Sequence, residues 1–398
     1  MNNQINYQML EQALQSNQFD EALELLKNGE KLPKNVDDFK KNQIFDKLLR
    51  EKRFEILLLL AKDNTIETDI YELENFDRSI FQSILYYLPT DEASVAFFSD
   101  FISRFENLND EVNAKTLLGF FLEKGASLDL IKILVEAGCD VNFLNNADEN
   151  YLHQVIKTNL MKPDLSLSYL DFLINEGLDV NQHNIVKKTP LIVAIEFNRK
   201  EYIDLLLQNG ADPNELDNDE NTAFFYAVAQ KLDFDLYKQL GEFASPDLNH
   251  LNKNQVAALF EYTRMLNGRS EKEVQLLVQM IEDGGDLYHP SQYYSKEKTP
   301  LDQIAEKPAE ILEAILETGK VDINRQDDHG NTLLHKVCAF NVNYDANQAK
   351  ETYRKVKLLL ENGADSILTN DEDKTALMLA SDDNLKIKTV ELLMKQKS

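Results

Sequence analysis

The chain has 398 residues, with 42 Lys and Arg against 69 Asp and Glu, for a net charge of −27. Charge of this sign excludes phosphate backbones and anionic membrane surfaces as natural partners, because both are held by clustered Lys and Arg. Two cysteines, Cys139 and Cys338, supply neither a disulfide framework nor a cysteine-based zinc site.

Hydrophobic residues make up 43% and charged residues 28%, the balance of a folded chain. The longest apolar run, Ile56 to Ala61, is far too short to cross a bilayer. No basic-then-apolar leader opens the sequence, so the expectation is a cytoplasmic protein without membrane contact.

In chain order, the first elements are helical stripes. Leu10, Ala13 and Leu14 form one, and Ala22, Leu23 and Leu26 the next, closed by Gly29. Further helical pairs are predicted around 44–61 and 80–105. Residues 1–114 read as degenerate helix-turn-helix units ending in a polar cap; a separate helical domain is the alternative.

From residue 115 a short pattern recurs: an apolar helical run, a glycine, then Asp-x-Asn. It ends at Asp140-Val-Asn142, Asp179-Val-Asn181 and Asp212-Pro-Asn214, and more loosely at Asp247-Leu-Asn249, Asp286-Leu-Tyr288, Asp322-Ile-Asn324 and Asp365-Ser-Ile367. Successive aspartates are 39, 33, 35, 39, 36 and 43 residues apart. A second pattern lies between them: Thr189-Pro-Leu-Ile-Val-Ala194, Thr299-Pro-Leu301, Thr332-Leu-Leu-His335 and Thr375-Ala-Leu377. The threonines suit helix N-caps, Pro190 and Pro300 suit the first helical position, and Gly138, Gly177, Gly210, Gly284 and Gly363 suit left-handed closures. The step of 43 points to an insertion at 341–350, and the unit 247–286 gains a loop at 266–270.

These residues resemble the ankyrin repeat family, whose unit of about 33 residues carries Thr-Pro-Leu-His at its first helix and Gly-Ala-Asp-x-Asn after its second. The resemblance implies an all-α solenoid of helix pairs joined by hairpin loops, with about seven to eight repeats over 115–398. It also implies that His153 and His335, at the fourth place of the first pattern, hydrogen-bond between units. Cys338 takes the place of a small core alanine.

Chemistry finds little purchase. No histidine pair has metal-ligand spacing on a helix, and no phosphate-cradling loop or nucleophile motif occurs. Asp217-Asn-Asp-Glu-Asn221 begins like a calcium loop but has Thr222 where glycine should bend it and Val228 where the closing glutamate should stand. The chain is therefore expected to be non-enzymatic, with no cofactor and no metal.

Surface remains. In ankyrin arrays the hairpins and the exposed side of each first helix form a concave face that binds a protein. Carried over, the hairpins are 145–149, 182–188, 215–221, 289–298, 325–330 and 368–374. The expected contact residues are Asp217, Asp219, Glu220, Asp327, Asp328, Asp371, Glu372 and Asp373, with the tyrosines of the 289–298 hairpin, Tyr293 and Tyr294, beside Tyr288, as aromatic anchors. The partner expected is another protein with a basic patch, steered by charge. An inhibitor or immunity protein that neutralises a basic effector, and a passive scaffold, are the alternatives. The sequence leaves the oligomeric state open.

Overall fold

The computed structural model describes residues 2–33, 36–158, 162–268, 270–294 and 296–396. The chain forms two compact units, residues 1–211 and 212–398.

In the first unit, six helix pairs follow one another. They begin with Asn2–Gln15 and Phe19–Lys27, then Asp38–Arg50 and Phe54–Lys62, then Ile80–Tyr87 and Glu92–Ile102. The remaining pairs are Leu117–Lys124 with Leu128–Glu136, Tyr151–Lys157 with Pro163–Asn175, and Pro190–Glu196 with Lys200–Gln208. A phenylalanine cluster joins the third pair to the fourth. Phe76 lies 5.2 Å from Phe120, and Phe81 and Phe98 lie 5.9 and 5.7 Å from Phe121. Phe81, Phe98 and Phe121 are fully buried, and each ring removed from water contributes about 1.5–3 kcal/mol.

The second unit repeats the same plan. Its first helices are Ala223–Phe225 running on as a wider turn to Lys231, then Ala258–Met265, Pro300–Ala305, Leu333–Ala339 and Ala376–Ala380. Its second helices are Phe234–Gly241, Glu271–Glu282, Ala309–Glu317, Ala346–Glu361 and Ile387–Lys395. First helices pack on first helices and second on second, so each apolar stripe is covered by its neighbour. The π-helical stretch Tyr226–Lys231 has a counting origin: Thr222 to left-handed Leu232 is one residue longer than Thr189 to left-handed Asn198.

Caps follow the sequence. The side chains of Thr116, Thr189, Thr222, Thr299, Thr332 and Thr375 accept the N–H groups of Gly119, Ile192, Phe225, Asp302, His335 and Met378. Gly138 and Gly210 close their helices at φ of 106° and 89°, in backbone space where a side chain would strain. Loop 266–270 falls between two helices, Arg269 lying outside the described residues. The insertion at 341–350 is split. Only 340–345 form the turn, and the rest lengthen the second helix, which begins at Ala346.

The Asp-x-Asn pattern is an inter-repeat clasp. Each aspartate closes a tight turn by accepting an N–H two residues on, as Asp212 does from Asn214 at 2.8 Å. The asparagine amide then reaches the next helix pair. Asn249 donates to the Gly284 carbonyl at 3.0 Å and accepts from Asp286 N–H at 2.9 Å; Asn324 does the same to Gly363 and Asp365 at 3.1 and 2.8 Å. Tyr288 occupies the asparagine position in one unit. There the following glycine and aspartate, Gly319 and Asp322, are separated by two residues rather than one, and a longer side chain spans the gap. The Tyr288 hydroxyl accepts Asp322 N–H at 2.7 Å and donates to the Asp322 carbonyl at 3.3 Å. Tyr288, expected as an exposed anchor, is instead half-buried under Arg325, 4.0 Å from its ring.

Lysines clasp the opposite, elbow side. Lys307 donates to the Leu266 carbonyl at 2.7 Å, Lys355 to Ala305 at 2.5 Å and Lys386 to Cys338 at 2.8 Å. Each sits beyond the end of the preceding first helix, where the carbonyl dipoles favour a cation. Lys355 is 1% exposed, and burial lowers its ammonium to a pKa of about 8.

The clasp sets a stability test. Tyr288→Phe leaves Asp322 N–H without its acceptor and should destabilise the second unit by about 1–2 kcal/mol, measured by urea unfolding; an unchanged midpoint contradicts the clasp.

Candidate functional site: the hairpin tips

The hairpins joining successive helix pairs share one construction. Asn145, Asn184, Asp217, Asn252, Asp327 and Asn370 each accept two N–H groups with one side-chain oxygen, from the residues two and four positions on. A left-handed residue follows three positions later: Asp148, Lys187, Glu220, Gln255, Gly330 and Asp373. Every closing Asn or Asp lies five residues after a repeat aspartate, and Ser291 holds that place after Asp286. This register exposes the 252–256 hairpin, which the Thr-based pattern misses because Ala257 replaces the capping threonine.

Main-chain bonds tie neighbouring tips together. Ile185 N–H donates to the Ala147 carbonyl at 2.8 Å, Lys253 to Asp219 at 3.1 Å and Asp371 to His329 at 3.1 Å. In the long hairpin, Ser291–Tyr293 and Lys296–Lys298 pair antiparallel, with Ser291 opposite Lys298 and Tyr293 opposite Lys296.

Both motif histidines bridge units. His153 Nε2 donates to the Lys188 carbonyl at 2.9 Å, and His335 Nε2 is shared between the Leu368 and Lys374 carbonyls at 3.1 and 3.2 Å. Burial holds both imidazoles below the ordinary histidine value. Cys139 and Cys338 are buried, and burial pushes both thiols up to about 12, so neither is a nucleophile near neutral pH.

Many charges beside the tips are consumed internally. Lys115 pairs with Glu123 at 2.6 Å, Lys188 with Glu196 at 2.5 Å and Lys298 with Glu306 at 2.9 Å, and Glu149 pairs with Lys157. Lys336 holds both Asp302 and Asp327, the latter at 2.5 Å. Burial alone would raise the Asp327 carboxyl; Lys336 and the N–H groups of Asn331 and His329 hold it below the usual carboxylate range.

The expected contact residues therefore divide. Asp217 is not a surface residue: it is 3% exposed, one oxygen closing its hairpin and the other accepting the Tyr226 hydroxyl at 2.6 Å. Asp327 is half-buried and paired, and exposed Glu372 pairs with Lys374 at 2.8 Å. Asp219, Asp328, Asp371 and Asp373 are exposed and make no ion pair among the described residues, while Glu220 is half-buried. The Asp371–His329 bond brings Asp328, Asp371 and Asp373 onto adjacent tips. Asp219 and Glu220 stand apart from them, with the 252–256 and 291–298 hairpins between. Tyr294 is 91% exposed and left-handed, its ring 4.9 Å from half-buried Tyr293, over which Lys298 sits at 4.8 Å.

Stacked helix pairs, threonine caps and closed hairpins define a helical repeat protein of the ankyrin class. The family model described as ankyrin repeats in three copies matches residues 164–250 and 301–398, and the chain carries ankyrin repeats there. It is 28% identical over 114 residues to an ankyrin repeat protein of fowlpox virus, 28% of this chain and 32% of that one. It is 29% identical over 140 residues to an ankyrin repeat protein of Acanthamoeba polyphaga mimivirus, 33% of this chain and 44% of that one. The chain thus spans less than half of the length of these relatives. Among solved structures, the ankyrin repeat domain of Bcl-3, a member of the IkappaB protein family, aligns at 23% identity and a TM-score of 0.47, over 61% of this chain and 98% of that one. A chain from the complex of the Bdellovibrio bacteriovorus predatory endopeptidase Bd0816 with immunity protein Bd3460 aligns at 22% identity and a TM-score of 0.39, over 52% of this chain and 97% of that one. No described helix is long and apolar enough to cross a membrane.

The histidine bridges carry a signed pH dependence. Their folded values lie below the model value of 6.5, so the unfolded chain binds more protons as pH falls through that value, and the stabilisation present above it is lost. The urea midpoint should fall between pH 7.5 and about 5.5, and His335→Gln should flatten that fall; a midpoint independent of pH in the native chain contradicts the buried, neutral bridges.

Proposed function

We propose that this chain is a non-enzymatic protein-binding module that engages a partner with a basic patch, mainly through the adjacent tips carrying Asp328, Asp371 and Asp373. Ankyrin repeats serve protein-protein interaction, and the carboxylates left unpaired on locked hairpins give that interaction a sign. The observation carrying the reading is the contrast between charges paired beside the tips and these three, exposed without a counter-ion among the described residues. Tyr294, fixed outward, is the aromatic contact closest in kind to an interface anchor.

Exposed charges act through long-range steering, which salt screens with a Debye length of about 8 Å at physiological ionic strength. They set association rate more than final affinity.

The test begins with the partner retained by the immobilised chain and identified by mass spectrometry. Its association rate should fall about tenfold from low to high salt, and Asp328→Asn, Asp371→Asn and Asp373→Asn together should lower it several-fold at low salt with little change in dissociation. A rate that is indifferent to salt and to the triple variant contradicts the reading and leaves the scaffold. Loss of the partner's catalytic turnover on binding would place the module among inhibitors of a basic effector.

A further inference from the structure

The insertion that lengthens the 322–365 step takes no part in the hairpin tips, yet its turn is firmly built. Val342 is fully buried beneath it. Asn341 accepts the Asn343 N–H at 2.8 Å, Asp345 N–H donates to the Val342 carbonyl at 2.8 Å, and Asp345 caps the following helix through the Asn347 N–H at 2.7 Å. Between these anchors Asn343 and Tyr344 are both left-handed, at φ of 51° and 64°. Tyr344 is 98% exposed. An aromatic residue pays for this backbone with strain, and the turn holds its ring outward rather than against the protein.

The ring borders a cleft of about 720 Å³ between the turn and the elbow of the next helix pair. Ala339, Leu379 and Leu385 supply apolar wall, Leu385 being 41% exposed. Asp382 and Asp383 supply carboxylates. Asp382 is exposed and makes no ion pair among the described residues; Asp383 spends one oxygen on the Leu385 N–H at 2.9 Å. The one lysine lining the cleft, Lys386, is 3% exposed and directs its ammonium to the Cys338 carbonyl. The cleft thus joins an open tyrosine face, apolar wall and uncompensated negative charge. That combination suits a guanidinium, which stacks on an aromatic face and forks onto carboxylate, more than an ammonium.

We propose that this elbow cleft is a second docking site, distinct from the hairpin tips, for a peptide segment with an arginine beside an apolar side chain. The guanidinium stacks on Tyr344 and meets Asp382 and Asp383, while the apolar neighbour covers Leu379 and Leu385.

The test titrates the full chain with the blocked tripeptide Leu-Arg-Leu and its uncharged citrulline analogue, followed by amide NMR shifts. The arginine peptide should perturb residues 339–345 and 379–386, and the citrulline peptide should bind about tenfold more weakly. Tyr344→Asn, which keeps a residue tolerant of left-handed backbone, and Asp382→Asn should each weaken binding about fivefold to tenfold. Asp371→Asn with Asp373→Asn should leave it within about twofold, so this site and the tip site can fail separately. The proposal is overturned by no shifts at about 10 mM peptide, by binding indifferent to Tyr344→Asn and Asp382→Asn, or by self-association of the chain that Tyr344→Asn abolishes, which would assign the cleft to a second copy.

Discussion

Each helix pair in this protein buries one stripe of its own and depends on the next pair for the rest, so the hydrogen bonds that fix neighbours in register constrain everything else. The Asp-x-Asn clasp is that constraint. The aspartate rigidifies its own turn, and the asparagine amide spends both its donor and its acceptor on the following pair, as Asn249 and Asn324 show. Tyr288 shows the requirement is geometric: where one added residue displaces Asp322, a hydroxyl on a longer side chain restores the contact.

On this frame the hairpins are displayed rather than merely tolerated. One side-chain oxygen closes each tip, and main-chain bonds such as Asp371 to His329 hold tip to tip. The net charge of −27 is accordingly not spread evenly in effect. Carboxylates such as Asp302 and Asp327 are paired to Lys336 and serve packing, whereas Asp328, Asp371 and Asp373 remain available. Elbow lysines perform the reverse service, setting buried cations on helix ends.

The helix caps, left-handed glycines and repeat period were legible because each follows from a local residue type, and the ankyrin match at 164–250 and 301–398 agrees with that reading. Side-chain roles within the repeat were harder to read. Asp217 and Asp219 look alike in sequence, but only Asp217 stands five residues after a repeat aspartate, where a side chain must turn inward to close the hairpin. That interval also marks the overlooked 252–256 hairpin. Lys355 lies on the helical stripe of Thr352, Val356 and Leu359, a place where a charge foretells an interior partner. What no pattern conveyed was the partner itself: a main-chain carbonyl some fifty residues away. The insertion was visible as a count, while its division between turn and helix depends on Val342 plugging the core.

Native-state hydrogen exchange, read residue by residue by NMR, tests the register clasp most directly. The amides of Asp286 and Asp365, held by Asn249 and Asn324, and that of Asp371, held by the His329 carbonyl, should exchange at least about tenfold more slowly than that of tip residue Asp328. Exchange of all four at the rate of an unstructured peptide would contradict an array whose neighbours are locked in register.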